Sequence, residues 1–170
     1  TENGGIVYAS SGKYYSSLTF DGSNDYISIS HDSSLNLGNV LTIEAWVYPT
    51  NLSNRFTIYS TRRNNPAGSF QLEIGTGNSH TNVVVVAGVN TWVVESENNA
   101  VNLNQWNHIV YTRNGTGTGN HKVYVNGQEK TLQTTSSYDF VDNTDIKMIG
   151  AGNSLLAMHY FPGRLDEVAV

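Results

Sequence analysis

Apolar residues in this chain recur at every second position far more consistently than at helical spacing. In VLTIEAWVYP (40–49), Ile43, Ala45 and Val47 alternate with Glu44, Trp46 and Tyr48, and a period of two places one set on each face of an extended strand. Similar short runs, rich in β-branched and aromatic residues, are RFTIYST (55–61), SFQLEIG (69–75), NVVVVAG (82–88), NTWVVES (90–96), WNHIVYTR (106–113), HKVYVNG (121–127), IKMIGAG (146–152) and FPGRLDEVAV (161–170). Gly, Asn, Ser or Pro bounds each of them, as expected where strands end and turns begin. No stretch has the 3.6-residue period of an amphipathic helix.

Strands at this spacing in 170 residues predict an all-β fold, an antiparallel two-sheet jelly-roll sandwich with more strands than an immunoglobulin domain. A chain of that length makes one domain with a core of its own. Asn126-Gly127 after KVYV is the favoured pair for a two-residue hairpin turn, because both central positions need a positive φ. Strand 121–126 is therefore expected to turn there and pair with 128–133. The low-complexity NGTGTGN (114–120) sits between two strand-like runs and reads as a hairpin loop.

Composition narrows the partners. Only 14% of the residues are charged, the net charge is -5, and Asn, Ser, Thr and Gly are spread throughout. A surface of neutral hydrogen-bonding groups suits polar, uncharged partners. Basic residues form no run beyond Arg62-Arg63, which argues against nucleic acid. No segment is long and apolar enough for membrane insertion, and residues 1–16 lack the charged start and apolar core of a signal peptide. LDEVAV stops inside a strand-like run, so the sequence is expected to be a piece of a longer chain. The absence of cysteine leaves the compartment open.

Catalytic chemistry finds little support. A retaining glycosidase needs two carboxylates about 5–5.5 Å apart, and on a sheet two acids at i and i+2 would supply them. Glu95-Ser96-Glu97 is the one strand with that spacing, and it runs into NNA, so a solvated strand end is the simpler reading. Glu44 and Glu73 have no acidic neighbour in sequence. There is no Gly-x-Ser-x-Gly elbow, and the five histidines lack the paired spacing of a zinc site. The domain reads as non-catalytic.

The order FDGSNDYISI, LTIEAWVYP, WNHIVYTR, KVYVNGQ, IKMIGAG, FPGRLDEVAV closely resembles the concanavalin A-like, laminin G-like jelly-roll family over about residues 17–170. The resemblance implies a single domain over 1–170, with 1–16 as a lead-in strand or loop, and a first strand that pairs with the last. The Glu-x-Asp-x-x-Glu pattern of the related hydrolases is absent. In this family Trp46 and Trp106 are expected to be core or near-core residues keying the sheets together, and His108 a packing or hydrogen-bonding residue. The implied function is a non-catalytic carbohydrate-binding, lectin-like module of an extracellular multidomain protein, at a cell or virion surface. Its partner would be a glycan, a polysaccharide or a glycosylated receptor. The alternatives are a structural or adhesive module of a surface adhesin or viral tail or fibre protein, and, third, a glycoside hydrolase.

Ligand contact is expected on loops carrying Arg62, Arg63, Asn64, Trp92, Tyr138 and Tyr160, where an aromatic face beside amide and guanidinium donors suits a sugar. The crowded turn Asp21-Gly22-Ser23-Asn24-Asp25 raises a metal question. Calcium takes six to eight oxygen ligands, and the resembled family often holds an ion between its first and last strands. The expected cofactor is calcium, held by Asp21, Asn24 and Asp166, with Asp25 ranked below them.

Overall fold

The computed structural model describes residues 1–61, 70–75, 81–88, 91–138, 144–152 and 159–170. Among these, fifteen strands form two sheets. They are β1 (Glu2–Asn3), β2 (Val7–Ala9), β3 (Ser17–Asp21), β4 (Tyr26–Ile29), β5 (Val40–Pro49), β6 (Phe56–Ser60), β7 (Phe70–Ile74) and β8 (Val83–Ala87), followed by β9 (Thr91–Ser96), β10 (Asn107–Asn114), β11 (His121–Val125), β12 (Gln128–Glu129), β13 (Leu132–Thr135), β14 (Lys147–Ile149) and β15 (Pro162–Ala169). One sheet runs β1-β4-β14-β6-β7-β8-β9-β13, the other β12-β11-β10-β5-β15-β3-β2, and all pairs are antiparallel. The expected two-sheet fold is the observed one. Among the described residues no helix is long and apolar enough to cross a membrane.

The alternation seen in the sequence explains the core. Ile43, Ala45 and Val47 of β5 point inward and are fully buried, as are Ile109 and Tyr111 of β10, and they meet Phe70, Leu72, Ile74, Val83 and Val85 from β7 and β8. The Phe70 and Tyr111 rings lie 5.9 Å apart across the sandwich. Each of the Ile, Leu, Val and Phe side chains contributes roughly 1.5–3 kcal/mol by leaving water. The first and last strands are neighbours as expected, β15 lying between β3 and β5.

Two expectations about this frame are corrected. Trp46 and Trp106 do not key the sheets together. Trp46 lies on the outer face of β5, half-buried, with its ring stacked on His108 at 4.8 Å and edged by Tyr14 at 5.9 Å. Trp106 packs edge-on against Tyr48, which lies on the same outer face, at 5.6 Å. The second correction concerns the hairpin. Asn126 (φ 54) and Gly127 (φ 78) make the expected turn, but the return strand pairs with β11 through Gln128 and Glu129 and one further bond, from the Lys130 amide to the Val123 carbonyl at 2.8 Å, rather than through to 133. The chain then crosses to β9, where Leu132 packs against the core; that burial outweighs further pairing on an edge.

A buried histidine links the strands of this region. The Tyr111 hydroxyl lies 2.8 Å from His121 Nδ1, and His121 Nε2 lies 3.2 Å from the Ser136 carbonyl. The carbonyl can only accept, so Nε2 carries the proton and Nδ1 accepts from Tyr111. Burial, followed by the Arg113 charge, pushes the His121 pKa below its ordinary 6.5. A depressed histidine pKa means that the unfolded chain takes up protons first, so stability is lost as pH falls below 6.5 toward the folded pKa. Urea midpoints measured from pH 7.5 to 5 should fall more steeply for the wild type than for His121→Gln; parallel curves would remove His121 from this role.

Candidate functional site

Among the described residues the outer face of the larger sheet holds the densest polar constellation. Across β6, β7, β8, β9 and β13, register places Thr57, Glu73, Val84, Glu95 and Thr134 in one row, and alternation points them away from the core. Glu73 sits at the centre, fully buried, with both oxygens engaged. Arg55 donates from Nε to Glu73 Oε2 at 2.7 Å and from a second guanidinium nitrogen to the same oxygen. On Oε1, Thr57 Oγ1 donates at 3.1 Å and His159 Nδ1 approaches to 2.9 Å. Burial pushes the Glu73 carboxyl up, but the His159 contact and the Arg55 charge more than offset it and hold the pKa below the ordinary carboxylate value.

Arg55 also reaches the Trp92 indole on this face. Its guanidinium carbon lies 5.5 Å from the Trp92 ring centroid. Because Glu73 belongs to β7 and Trp92 to β9, the arm and the indole converge above β8. Val84 and Val86 point outward there and are nonetheless fully buried. The cover continues toward β14, since Gln71, Ser60 and Met148 in the neighbouring row are also closed to solvent. A Cβ at Gly152 would collide with Gln71 Oε1 and Thr57 Oγ1, so glycine there lets the β14 end lie against the face.

Solvent reaches polar groups again at β9 and β13. Glu95, half-buried, accepts from Asn82 Nδ2 at 2.9 Å and from Thr134 Oγ1 at 3.4 Å. Asn82 Nδ2 also reaches Asn98 Oδ1 at 3.1 Å, and Gln133 Nε2 donates to the same oxygen at 3.2 Å. The result is a ledge along one edge of the sheet: an indole and a guanidinium at one side, then a carboxylate, then side-chain amides. Such a surface offers an apolar plane for stacking together with donors and acceptors for hydroxyl groups.

The expected residues are distributed unevenly. Trp92 is on this ledge. Tyr138 is half-buried against the core beside Gly88, away from the outer row. Tyr160 packs with Tyr26 at 6.3 Å, on the β4 side of the sheet, so the structure does not bring it to Trp92. Arg62, Arg63 and Asn64 lie outside the described residues. The acids Glu95 and Glu97 do not form a pair: Glu95 belongs to the ledge, while Glu97 follows the strand and faces Lys130 at 3.5 Å. The sequence analysis missed Arg55, Glu73 and His159. The available signal was SFQLEIG, where alternation places Gln71 and Glu73 on one face of a strand otherwise built for a core.

The three expected calcium ligands are also separated. Asp21 pairs with Pro162 at one end of the β3–β15 ladder, and Asp166 lies four residues further along β15, about 13 Å away at strand rise. Asp21 Oδ1 accepts from the Ser23 and Asn24 amides at 2.7 and 3.3 Å, a turn closed by its own side chain. Asp166 Oδ2 accepts from the Lys13 and Tyr14 amides at 2.9 and 3.1 Å. Asp25, ranked lowest, is the buried carboxylate of the turn; it accepts from the Gly5 amide at 2.6 Å and the Asp21 amide at 2.8 Å. Among the described residues no group of three acidic or imidazole side chains converges on one point. Asp21, Asn24 and Asp166 therefore do not fit a single ion.

With the fold and ledge in view, comparison with known proteins supplies the family. The family described as concanavalin A-like lectin/glucanases superfamily matches residues 21–170. The chain belongs to this superfamily. Among solved structures, this lectin/glucanase-type domain is similar to domain 4 of AbnA, a GH43 extracellular arabinanase from Geobacillus stearothermophilus, in complex with arabinotriose. That match has 22% identity and a TM-score of 0.71, and covers 97% of this chain and 74% of that one. It is also similar to a putative carbohydrate binding protein from Bacteroides ovatus, at 25% identity and a TM-score of 0.63, over 88% of this chain and 41% of that one. A third relative is the CBM40 of Ruminococcus gnavus IT-sialidase bound to alpha2,3 sialyllactose, at 16% identity and a TM-score of 0.57, over 85% and 91% of the two chains. At 22% and 16% identity the likeness is one of fold. The search of curated proteins gives no match.

Proposed function

We propose that this domain is a non-catalytic carbohydrate-binding module of an extracellular protein, and that glycan docks on the Trp92–Arg55–Glu95 ledge. The observation that carries the reading is the Arg55 guanidinium, fixed by Glu73 on one side and lying 5.5 Å from the Trp92 ring on the other. A stacking surface and its polar neighbours are thus held on strands before any ligand arrives, which limits the ordering cost of binding. The complexes of the similar arabinanase domain with arabinotriose and of the CBM40 with sialyllactose support a sugar as the kind of ligand.

The same geometry argues against hydrolysis. Glu73 and Glu95 stand two strands apart, about 9.5 Å by strand spacing, beyond the roughly 5–5.5 Å of a retaining pair, so only an inverting mechanism would need excluding on other grounds. A general acid needs a raised pKa and an open approach to the leaving oxygen. Glu73 has neither, being fully buried, engaged at both oxygens and held below the ordinary carboxylate pKa.

The test is a panel of immobilised plant, bacterial and animal glycans, followed by titration calorimetry on the best ligand. Trp92→Ala should weaken binding by about 30-fold or more, the effect of losing an aromatic hot spot, with its circular dichroism spectrum unchanged. A panel without a single binder, or an unchanged Kd in the folded variant, overturns the proposal.

A further inference from the structure

We infer that Glu95 makes the ledge selective for neutral, hydroxyl-bearing glycans over glycans carrying a carboxylate, such as uronic or sialic acids. This rests on the reading that the ledge is the sugar-binding surface, and it concerns the charge that the surface presents.

Two observations confine the ligand to Glu95. Outward-facing side chains from β14 through β8, namely Met148, Ser60, Gln71, Val86 and Val84, are closed to solvent, so a glycan cannot lie across the breadth of the sheet. Accessible polar groups begin at β9, where Trp92 and Glu95 are both half-buried on the outer face, with Thr134 beside Glu95 on β13. A sugar stacked on the indole and following the edge strands therefore passes the Glu95 carboxylate.

The charge balance there is decided by pairing. Among the described residues Arg55 is the cation that reaches the indole, and two of its guanidinium N–H groups are spent on Glu73, which offsets its charge. The bonds to Glu95 come from neutral groups, the Asn82 amide and the Thr134 hydroxyl. Neither supplies a countercharge. An ionised carboxylate only accepts hydrogen bonds, so Glu95 welcomes sugar hydroxyls as donors and repels a second carboxylate. Close to a protein surface two like charges in contact repel, and salt screens the effect.

Matched pairs test this: galactotetraose against tetragalacturonic acid, and lactose against alpha2,3 sialyllactose, titrated into the wild type and Glu95→Gln at pH 7 and low ionic strength. Gln keeps the shape and can still accept from Thr134, and melting temperatures check that the variant folds. The expected result is at least tenfold preference for the neutral member of whichever pair binds, reduced several-fold in Glu95→Gln and in the wild type at high salt. Equal or tighter binding of the acidic member by the wild type, or a preference that Glu95→Gln leaves unchanged, overturns the inference and leaves the carbohydrate-binding reading standing. If neither pair nor any glycan of the wider panel binds, the carbohydrate-binding reading itself falls, and this inference with it.

Discussion

Replacing Glu73 by Ala is expected to destabilise the domain by about 3–5 kcal/mol, the loss typical when one partner of a buried ion pair is removed. The carboxylate is fully buried and ties its own strand to two segments distant in sequence: the start of β6, through Arg55 and Thr57, and the chain beyond β14, through His159. Alanine leaves the Arg55 guanidinium without its countercharge under partial burial and creates a void beside Thr57 and His159. Glu73→Gln should cost less, since it retains volume and one acceptor, but it gives up the charge-assisted bond to Arg55. The pH dependence has a definite sign. Because the folded-state pKa lies below the ordinary 4.5, the stabilisation is complete above that value and is lost as pH falls toward the folded pKa. Urea unfolding followed by tryptophan fluorescence at pH 7 and pH 4 measures both effects. A Glu73→Ala loss below about 1 kcal/mol, the range of an exposed pair, would show that the network is not structural.

Asp25→Ala and Asp166→Ala form the second large effect, about 2–4 kcal/mol for each, from two backbone amides left without an acceptor. Both carboxylates hold the lead-in segment. Asp25 takes the Gly5 amide and the Asp21 amide, and Asp166 takes those of Lys13 and Tyr14. Around Asp166 the segment is further fixed by Lys13 over the Trp46 ring at 4.4 Å and by Arg164 donating to the Ser11 carbonyl at 2.7 Å. Since these carboxylates act through bonds to backbone amides, the losses should be the same in EDTA as in millimolar calcium. Thermal unfolding of the wild type and both variants in the two buffers decides the point. An Asp166→Ala loss that appears only in calcium would restore Asp166 as a metal ligand and displace the amide account.

The strands were legible because alternation is a local property. Each of the nine runs read from the sequence became a strand, and Asn126-Gly127 supplied a turn whose positive φ values are written in its residue types. What alternation does not reveal is which of two rows faces inward. In β5 one row is Ile43, Ala45 and Val47 and the other contains Trp46 and Tyr48, so both have apolar area to bury. The inner row was chosen by volume and by what lies opposite: Phe70, Leu72 and Val85 fill the space between the sheets, and the wide indole goes outside, where His108 and the lead-in segment cover it.

The site needed more than alternation, because its members are far apart in the chain. Arg55 and Glu73 are separated by 18 residues, and Glu73 and His159 by 86. In sequence Glu73 is a lone acid in an apolar strand, and only cross-strand register supplies its partners. The acidic turn failed in the opposite way. Asp21, Asn24 and Asp25 crowd together in sequence, which suggested a shared ion, yet Asp21 Oδ1 and both Asp25 oxygens accept from backbone amides of the turn and the lead-in segment. By itself the sequence determined an all-β sandwich, the positions of its strands and the pairing of its ends, since periodicity, turn chemistry and family resemblance act along the chain. Tertiary structure decided which aromatic rings lie outside, which carboxylates are spent on the protein's own backbone and which polar side chains meet on one ledge. Those outcomes depend on register between strands remote in sequence, and on competition for the same oxygen atoms.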